Sequence, residues 1–573
     1  LKYESEQPNS LYDPNGSFQS INRRYDIVYG DVMLNFNYNI NRFDIAATVG
    51  WTGRYENMNN IRVSTNGGLV TENWFDLNAS RYTPSSTLQR MELLKTGYMG
   101  TLSLGWDNYL FLELTGRQER SSTLKDQSFF YPSANLSFLF TQAFHMPSWW
   151  NYGKLRLSYG IVGNAPETYT ANIVYEQGSD NGFTWNTIPS SWGNADIRPE
   201  KKYEYEIGLE SKFLNNRLGI DVSYYNNRVK DQILSTPQPS TSGVKNVLMN
   251  VGEVANHGWD ISISATPILT RDFRWDLTAN YGVYKNKVVK LADGVPYLEI
   301  LNSGGSGIKI QAVEGQPMGD IYAQVPQVNE NGEYLVSDKG LYLNQTELQK
   351  VGNINPAGVG GLFNSFSYKN VFLDFSIDFR IGGDVINEMN QYATAVGLTP
   401  ESLKYRDTEH GGLSYYYPGD NNSSGIPVQV DPSTGVGPNG EIIYHDGIIL
   451  PGVVASTGER NTRIIPAGYY YNTTYNWGTE AEQLTYRHSV FDNSYVKLRE
   501  LTIGYQFPEK MISKLGLGRL SVSVFGRNLF YFYKALKNYD AESSVGTSWA
   551  NQATVGSSTT ATRSFGVSLR ASF

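Results

Sequence analysis

Few residues of this 573-residue chain have the types and spacing that catalysis or metal binding requires. The sequence contains no G-x-S-x-G nucleophile turn, no H-E-x-x-H zinc motif and no Walker phosphate-binding loop. It contains no cysteine, which excludes disulfide bonds and thiolate metal ligands. The five histidines are scattered, and none forms a ligand pair on one strand face or helical turn: His145, His257, His410, His445 and His488. We therefore predict no enzyme activity, no catalytic residues and no cofactor.

One segment, residues 420–431, matches a calcium-binding loop in part. Oxygen-bearing side chains stand at the first, third, fifth and twelfth positions of the template: Asp420, Asn422, Ser424 and Asp431. The twelfth position has Asp in place of the usual bidentate Glu, Pro427 lies inside the loop, and no amphipathic helices flank it. The match is weak, and the sequence favours a plain polar loop over a metal site.

Aromatic residues are concentrated between the segments that we predict as strands. Their rings can stack on sugars, contact a partner protein, or pack the connecting segments against one another. The sequence favours internal packing for the group as a whole but leaves all three roles open. The candidates for substrate or partner contact are Trp74, Trp185, Trp192, Tyr415, Tyr416, Tyr417 and Trp477, beside a second tyrosine triplet at Tyr469, Tyr470 and Tyr471.

The elements that must position these residues are β-strands with two different faces. Residues 34–40 alternate apolar side chains with asparagine, and residues 43–49 alternate again after a tight turn, which predicts a hairpin. The same alternation recurs to the end of the chain. The further predicted strands are 98–106, 110–114, 135–141, 155–161, 203–209, 218–224, 259–265, 275–281, 308–313, 320–323, 363–368, 372–380, 495–507, 520–529 and 563–573.

Composition narrows the class of protein to which such strands belong. The mean hydropathy of -0.39 is typical of a soluble protein, and the absence of any run of about 18 apolar residues excludes a helical membrane protein. Aromatic residues make up 13% of the chain, as expected where rings form girdles at two membrane interfaces. Glu204, Glu206 and Glu210 share one strand face, and three glutamates cannot pack in a dry core. These features favour a barrel with a wet interior over a tyrosine-rich secreted β-protein. The net charge of -8 argues against nucleic acid as a partner.

The connections and the last strand predict the kind of barrel. Transmembrane barrels alternate short periplasmic turns with longer extracellular loops, and here short turns alternate with long segments at 55–96, 162–199, 231–246, 327–357 and 385–489. The last strand ends on Phe573, and a terminal aromatic residue on such a strand resembles the assembly signal of outer-membrane barrels. We predict an all-β, transmembrane antiparallel β-barrel with about 17 strands, and parity requires at least one strand before residue 1. Five more would complete a barrel of about 22 strands, so we expect the chain to be a fragment.

Several stretches are similar to one family, the SusC-like (SusC/RagA) TonB-dependent transporters of the Bacteroidetes outer membrane. Ten such stretches follow the family's order: FYPSANLSF (130–138), KLRLSYGIVGN (154–164), NADIRPEKKYEYEIGLE (194–210), NRLGIDVSYYNNRVKDQIL (216–234), NVGEVANHGWDISI (250–263), INPAGVGGLFNSFSYKN (354–370), GGDVINE (382–388), DNSYVKLRELTIGYQFP (492–508), FGRNLFYF (525–532) and YDAES (539–543). The resemblance implies that residues 1–573 are the C-terminal portion of the barrel. The plug domain and the TonB-contacting segment of the family are not recognisable in residues 1–30.

The resemblance also implies a function and partners. It implies active import of oligosaccharides or peptides across the outer membrane, together with a SusD-like surface lipoprotein and the TonB–ExbB–ExbD system. The resemblance implies that the barrel lies among outer-membrane lipids. It is also compatible with a dimer of transporter–lipoprotein pairs. The alternative is a passive porin or a surface-binding barrel without energy coupling. Cargo identity stays open between glycan and peptide because barrel motifs are shared across substrates.

The longest connection, residues 385–489, leads to a prediction about the lipoprotein. Connections longer than about 12–15 residues are usually functional, and this one carries both tyrosine triplets and Trp477. We expect it, with residues 162–199, to form much of the contact with the lipoprotein.

Overall fold

The computed structural model describes residues 2–8, 15–125, 128–180, 182–303, 307–419, 425–476, 485–544, 546, 548–555 and 561–572. The chain divides into two compact units. Unit 1 comprises residues 1–210, 224–255 and 290–295, and unit 2 comprises residues 211–223, 256–289 and 296–573.

Sixteen strands of the described residues form one antiparallel sheet whose order follows the chain. Numbered with all other strands in chain order, they are β1 (Lys2–Gln7), β2 (Ser17–Ile40), β3 (Phe43–Leu69), β4 (Ser80–Trp106), β5 (Leu110–Ser121), β6 (Ser128–Phe138), β7 (Trp150–Asn164), β11 (Glu200–Phe213), β12 (Leu218–Lys230), β15 (Glu253–Leu269), β16 (Phe273–Lys290), β22 (Gly358–Tyr368), β23 (Val371–Ile381), β31 (Tyr495–Gln506), β32 (Arg519–Lys534) and β33 (Ser564–Ser572).

The other strands of the described residues are short and lie in the connections. They are β8 (Glu176–Asp180), β9 (Phe183–Thr187), β10 (Ser191–Trp192), β13 (Ile233–Pro237), β14 (Asn246–Asn250), β17 (Tyr297–Ser303), β18 (Ile308–Val313), β19 (Asp320–Ala323), β20 (Leu335–Val336), β21 (Gln349–Asn353), β24 (Asp384–Ile386), β25 (Leu413–Tyr416), β26 (Val428–Gln429), β27 (Tyr444–Ile448), β28 (Val453–Val454), β29 (Ile465–Pro466) and β30 (Val490–Asp492). The helices are α1 (Phe140–Ala143), α2 (Glu388–Ala395), α3 (Ala467–Tyr475) and α4 (Glu509–Ile512). Within the described ranges, none of them combines the length and the apolar character that a membrane-crossing helix needs.

The register of the large sheet explains the alternation in the sequence. In unit 1, Leu34 pairs with Val49 and Phe36 pairs with Ala47, so these apolar side chains share one face. Leu34 is 70% exposed and Phe36 is 62% exposed, which means that this apolar face is not covered by a protein core. On the opposite face the hydroxyl of Thr48 donates a hydrogen bond of 2.8 Å to the Asn35 side-chain oxygen. A sheet with an uncovered apolar face and a polar second face is typical of a membrane barrel wall.

Aromatic rings line the end of unit 1 at which its strands are joined by short turns. Consecutive ring centroids lie 6.4 Å apart for Phe43 and Trp106, 5.3 Å for Trp106 and Tyr109, 6.1 Å for Tyr109 and Phe138, and 5.9 Å for Phe138 and Phe144. Amphipathic rings are stable at the level of lipid headgroups. This series therefore has the character of an interfacial girdle, which the aromatic composition had indicated.

The short turns between large-sheet strands rest on residues with positive φ. Asn41 has a φ of 53° between β2 and β3, Asn108 has 59° between β4 and β5, and Lys369 has 52° between β22 and β23. Two-residue hairpins need this left-handed backbone to match the twist of the strands. The predicted turns at 41–42 and 369–370 are confirmed, and the turn predicted at 107–108 has one more residue, 107–109.

The predicted long connection at 55–96 is wrong in its extent. β3 continues to Leu69 and β4 begins at Ser80, so that the connection is only residues 70–79. Residues 55–64 are largely polar on both faces, yet they pair in register with β4, as Asn57 does with Glu92. Backbone pairing without an apolar face leaves no alternation in the sequence, which is why the prediction ended too early. At about 3.3 Å per residue these strands are far longer than the 9–11 residues that cross a bilayer.

The predicted strands 308–313 and 320–323 form, but outside the large sheet. As β18 and β19 they belong to a separate sheet of four strands with β17 and β21. Ile308, Ile310 and Ile321 are completely buried, so the alternation there reflects a local dry core. The connection between β16 and β22 is therefore residues 291–357, and not 327–357.

The strand count changes at the start of the chain as well. The large sheet has 16 strands in the described residues, compared with the predicted number of about 17. β1 pairs antiparallel with β2 and supplies one strand upstream of residues 34–40, where parity required it. The prediction had placed that strand before residue 1, because the polar residues 2–7 show no apolar face.

Candidate functional site

In unit 2 the 382–494 connection shares a buried core with residues of the 291–357 connection. Leu341, Ile448, Leu450 and Ile465 are buried together, and Tyr342, Tyr405 and Tyr470 pack against them. A second cluster contains Tyr415, Tyr417 and Ile464. Long connections of this kind keep a fixed shape only when they bury apolar side chains, which supplies the free energy that offsets the lost chain entropy.

Two rings of the first tyrosine triplet are buried. Tyr415 is 1% exposed and Tyr417 is 5% exposed, and their rings meet edge to face with centroids 5.5 Å apart. The Tyr415 hydroxyl donates a hydrogen bond of 3.1 Å to Asp446. Both rings are therefore part of the internal packing and cannot meet a ligand in this conformation. Tyr416 is half-buried.

Two residues of the second triplet, Tyr470 and Tyr471, belong to a continuous series of ring contacts that involves α3. Centroids lie 5.1 Å apart for Tyr470 and Tyr471, 5.6 Å for Tyr471 and Tyr475, and 4.4 Å for Tyr475 and His488. Burial lowers the pKa of His488 to about 4, and the positive charge of Arg487 adds to the effect. Burial likewise raises the pKa of Tyr471 to about 12. At neutral pH these rings are uncharged, as an apolar core requires.

A polar cavity of about 640 Å³ lies between α2, α3 and β27. We call it the α2–α3 cavity. The side chains that give it chemical character are Arg406, His445, Asp446, Tyr471 and Asn472. Small residues of the two helices complete the wall, among them Ala395 and Gly468. Its volume falls within the range of about 300–1,000 Å³ that is common for ligand pockets.

Three hydrogen bonds fix the walls of the α2–α3 cavity. The first is the hydrogen bond from the Tyr415 hydroxyl to Asp446. The second joins the Ser414 hydroxyl and Nδ1 of His445, which lie 2.9 Å apart. The Tyr471 hydroxyl donates a hydrogen bond of 2.8 Å to the Glu401 carbonyl oxygen. The site is therefore pre-formed. Sequence reasoning missed it because its residues lie tens of positions apart and follow no short motif.

The 165–199 connection of unit 1 exposes apolar rings instead of burying them. β8 and β9 form a hairpin in which Asp180 pairs with Phe183 and Gly178 pairs with Trp185. The Trp185 indole lies across Gly178, where an added Cβ would come within 2.7 Å of it. Phe183 is 77% exposed, Tyr175 63%, Ile188 52% and Trp185 46%. We call these four residues the hairpin surface.

The remaining predicted tryptophans of the described residues differ in exposure. Trp192 is half-buried, and its ring meets that of Tyr175 edge to face with centroids 6.0 Å apart. Trp74 is 53% exposed in the short 70–79 connection. Of the second triplet, Tyr469 is 40% exposed. These residues stay candidates for contact with a partner or substrate.

Five predicted site residues lie outside the described residues: Phe573, Trp477, Asp420, Asn422 and Ser424. Asp431, the last member of the calcium template, is described. Its Oδ1 accepts hydrogen bonds from the Ser433 amide at 2.9 Å and the Ser433 hydroxyl at 2.5 Å, and these bonds lower its pKa. In the part of the chain that the structure describes, no group of three or more His, Asp or Glu side chains could hold a metal ion.

An ion-pair cluster attaches the 535–563 connection to the large sheet within unit 2. Nζ of Lys497 lies 2.6 Å from Oε2 of Glu542, and the Arg499 guanidinium lies 2.7 Å from Oε1 of Glu542 and 2.5 Å from Oδ2 of Asp378. Lys497 is only 1% exposed and also lies over the Tyr531 ring, 4.7 Å from its centroid. Residues of the stretches DNSYVKLRELTIGYQFP (492–508) and YDAES (539–543), which were identified separately in the sequence, thus meet in one structural contact.

The polar face of the large sheet in unit 1 carries ordered charges. Arg156 lies 3.7 Å from Glu210, and Asn227 donates a hydrogen bond of 3.0 Å to Glu204. The Arg117 Nε lies 2.8 Å from Glu119. A hollow of about 750 Å³ is lined by this face, including Asn37, Asp44, Glu113 and Arg156. The prediction that the glutamates of β11 do not enter a dry core agrees with this arrangement.

A comparison with known families decides the class. The family model described as "TonB dependent receptor-like, beta-barrel" matches residues 1–326. The chain belongs to this family. A TonB-dependent receptor barrel is an outer-membrane protein and not an enzyme, so the predicted fold class, localisation and absence of enzyme activity are confirmed.

Curated relatives of this receptor barrel are longer than the chain. TonB-dependent receptor P3 of Formosa agariphila is 24% identical over 494 residues, which cover 78% of this chain and 42% of the relative. TonB-dependent receptor SusC of Bacteroides thetaiotaomicron is 30% identical over 247 residues, which cover 40% of this chain and 24% of SusC. The chain thus spans less than half the length of these relatives. The resemblance to SusC-like receptors is confirmed.

A solved structure agrees with the fold. The RagAB peptide transporter superposes with a TM-score of 0.67 at 19% identity, covering 94% of this chain and 55% of the transporter chain. Its "open-open" state, described as a peptide importer, gives a TM-score of 0.65 over 93% of this chain and 54% of the other. At this level of identity the likeness concerns the barrel fold alone.

Proposed function

We propose that residues 1–573 are the C-terminal part of the barrel of a TonB-dependent importer. In this proposal it brings large nutrients, oligosaccharides or peptides, across the outer membrane together with a SusD-like surface lipoprotein. The relative named SusC and the solved structure named a peptide transporter support import as the family function. In this proposal TonB, ExbB and ExbD supply the energy for import.

The proposal includes an orientation of the barrel. Transmembrane barrels place short turns in the periplasm and long loops outside. The turns at 41–42, 107–109 and 369–370 then face the periplasm. The connections at 165–199, 291–357, 382–494 and 535–563 form the outer surface.

The hairpin surface is the observation that carries the partner proposal. Neighbouring large apolar side chains are rarely left exposed on a soluble surface unless they bind something. Aromatic residues dominate the energetics of protein interfaces, and Phe183, the most exposed of the four at 77%, stands next to the hairpin turn. The core of Leu124, Phe129, Ala171 and Ile197 anchors the connection that presents them. A rigid base with exposed rings suits a stable lipoprotein contact.

Co-purification of the lipoprotein tests this surface. We expect Phe183→Ser, alone and combined with Trp185→Ser, to weaken the complex by about 30-fold or more, as loss of a central aromatic residue does at interfaces. Heat-modifiable barrel in the membrane should be unchanged, because neither side chain belongs to the large sheet. Met511→Ser is the matched control, since Met511 is 62% exposed in α4, between β31 and β32. Full retention of the lipoprotein by both hairpin variants would refute the proposed contact.

A further inference from the structure

We infer that the α2–α3 cavity is a ligand site for a carboxylate group, with Arg406 as its recognition residue. This inference deepens the proposed import function, on which its biological meaning rests, by naming the chemistry of a ligand. It concerns binding within one connection of unit 2. Its test therefore needs no transport.

Arg406 is the charged group that the cavity leaves available. Its guanidinium makes no hydrogen bond or ion pair with any side chain among the described residues. Asp446, the one carboxylate in the cavity wall, already accepts the Tyr415 hydroxyl. An arginine in the wall of a pre-formed cavity presents several N–H donors in a planar fork, which matches a carboxylate.

Gly397 lies beside the guanidinium of Arg406. Gly397 follows α2 with a φ of 81°, a conformation that side chains rarely adopt. A Cβ at this position would lie 3.0 Å from Nη2 of Arg406. The glycine therefore ends the helix and at the same time lets the guanidinium lie close against the backbone. Arg406 is an exposed residue in the wall of the cavity, so a ligand can reach its guanidinium.

The other wall residues fit a polar chain that ends in a carboxylate. His445 and Asn472 supply groups that can donate or accept hydrogen bonds, while Val396 and Ile443 supply apolar contact. Such a mixture, with few polar groups at fixed positions, is typical of pockets that bind small polar ligands. The C-terminal end of a short peptide and an acidic saccharide both provide the carboxylate.

One position in the wall of the α2–α3 cavity can take a larger side chain without strain. Gly468 lies in α3 with a helical backbone, and an added Cβ there meets no atom within 4 Å. Gly468→Leu should occupy cavity space and leave the surrounding packing unchanged. Gly435 also has open space around its Cβ and does not line the cavity, so Gly435→Leu is its matched control.

Calorimetry on the purified full-length receptor that contains this barrel tests the inference. The probes are two carboxylates, trialanine and digalacturonate, and two counterparts without a carboxylate. Trialanine amide is the counterpart of trialanine, and maltose is the counterpart of digalacturonate. We expect one of the two carboxylate probes to bind and its uncharged counterpart to bind at least tenfold more weakly. Arg406→Gln should weaken binding about 10- to 100-fold, as loss of a charge-assisted hydrogen bond does. Arg406→Lys should recover part of it because the charge returns without the fork.

Distinct outcomes separate this inference from the import proposal. Binding that Gly468→Leu abolishes and Gly435→Leu retains would support the cavity as the site. Equal binding of charged and uncharged probes, or binding that Arg406→Gln leaves unchanged, would overturn the inference, as would no binding of any probe. None of these results bears on whether the barrel imports nutrients with a lipoprotein, since that is measured by co-purification and uptake.

Discussion

Replacing Glu542 by glutamine tests whether the 535–563 connection is held to the strands by buried charge. In the native protein Glu542 accepts Lys497 at 2.6 Å and Arg499 at 2.7 Å and 2.8 Å. The variant leaves Lys497, which is 1% exposed, without an anion. Arg499 keeps Asp378 as a partner.

The size of the effect follows from burial. Removing one partner of a fully buried ion pair costs about 3–5 kcal/mol, because the other charge stays desolvated. The Glu542 side chain is 34% exposed, so water reaches the cluster and reduces the cost. We therefore expect a loss of about 2 kcal/mol, which corresponds to roughly 30-fold more frequent opening of the connection.

Hydrogen exchange of residues 535–555 in lipid nanodiscs measures that opening. Glu500→Gln is the matched control, because its partner Arg527 is 57% exposed and a surface pair contributes only about 0–1 kcal/mol. The double variant Lys497→Met with Glu542→Gln should recover much of the loss, since no buried charge is left without a partner. Exchange in Glu542→Gln that equals the exchange in Glu500→Gln would refute the reasoning.

Four further outcomes are expected. Burial by itself raises the pKa of Glu542, but hydrogen bonds from Arg499 and Lys497 outweigh it and lower the pKa to about 2. The contribution of Glu542 to stability is therefore complete above its ordinary pKa of 4.5 and is lost as pH falls toward 2. Pepsin should cleave the 535–563 connection increasingly over that pH range in the native protein but not in the glutamine variant. Equal cleavage profiles of the two proteins would contradict the assignment. Deleting Phe573, or replacing it with Ser, should lower the amount of barrel inserted in the outer membrane, and unchanged heat-modifiable barrel would count against an assembly role. Tyr415→Ser should unfold part of the 382–494 connection, at a cost of about 3–5 kcal/mol for a buried ring, and should raise protease sensitivity there, whereas Tyr469→Ser, on an exposed ring, should not. Deleting residues 400–480 should weaken lipoprotein binding while the barrel still inserts, and full retention of the lipoprotein by an inserted variant would remove that connection from the interface.

The strands were predictable wherever one face is apolar. Residues 34–40 and 43–49 alternate because one face stays apolar and exposed while the other is polar, and that pattern is visible in the sequence alone. Residues 55–64 extend the same hairpin with polar side chains on both faces, so their pairing leaves no periodic signal. Residues 308–313 carry the signal but owe it to a local core, and alternation cannot distinguish a core strand from a wall strand.

The candidate sites show a similar division. Aromatic clusters in the connections were visible in the sequence, yet whether a ring is buried, as Tyr415 is, or exposed, as Phe183 is, depends on contacts made far along the chain. The contact of Lys497 with Glu542 joins two recognisable stretches, but their pairing is a property of the fold. Arg406 and Asp446 follow no spacing rule and become a site only through the packing of α2 and α3.

Uptake by cells that carry the complete receptor tests the central claim of energised import most directly. The measurement compares labelled casein peptides and labelled malto-oligosaccharides in cells with the receptor, without it, and with the receptor but without TonB. The account predicts that uptake of at least one probe requires both the receptor and TonB. Uptake that requires the receptor but proceeds equally without TonB would contradict it and would identify a passive pore.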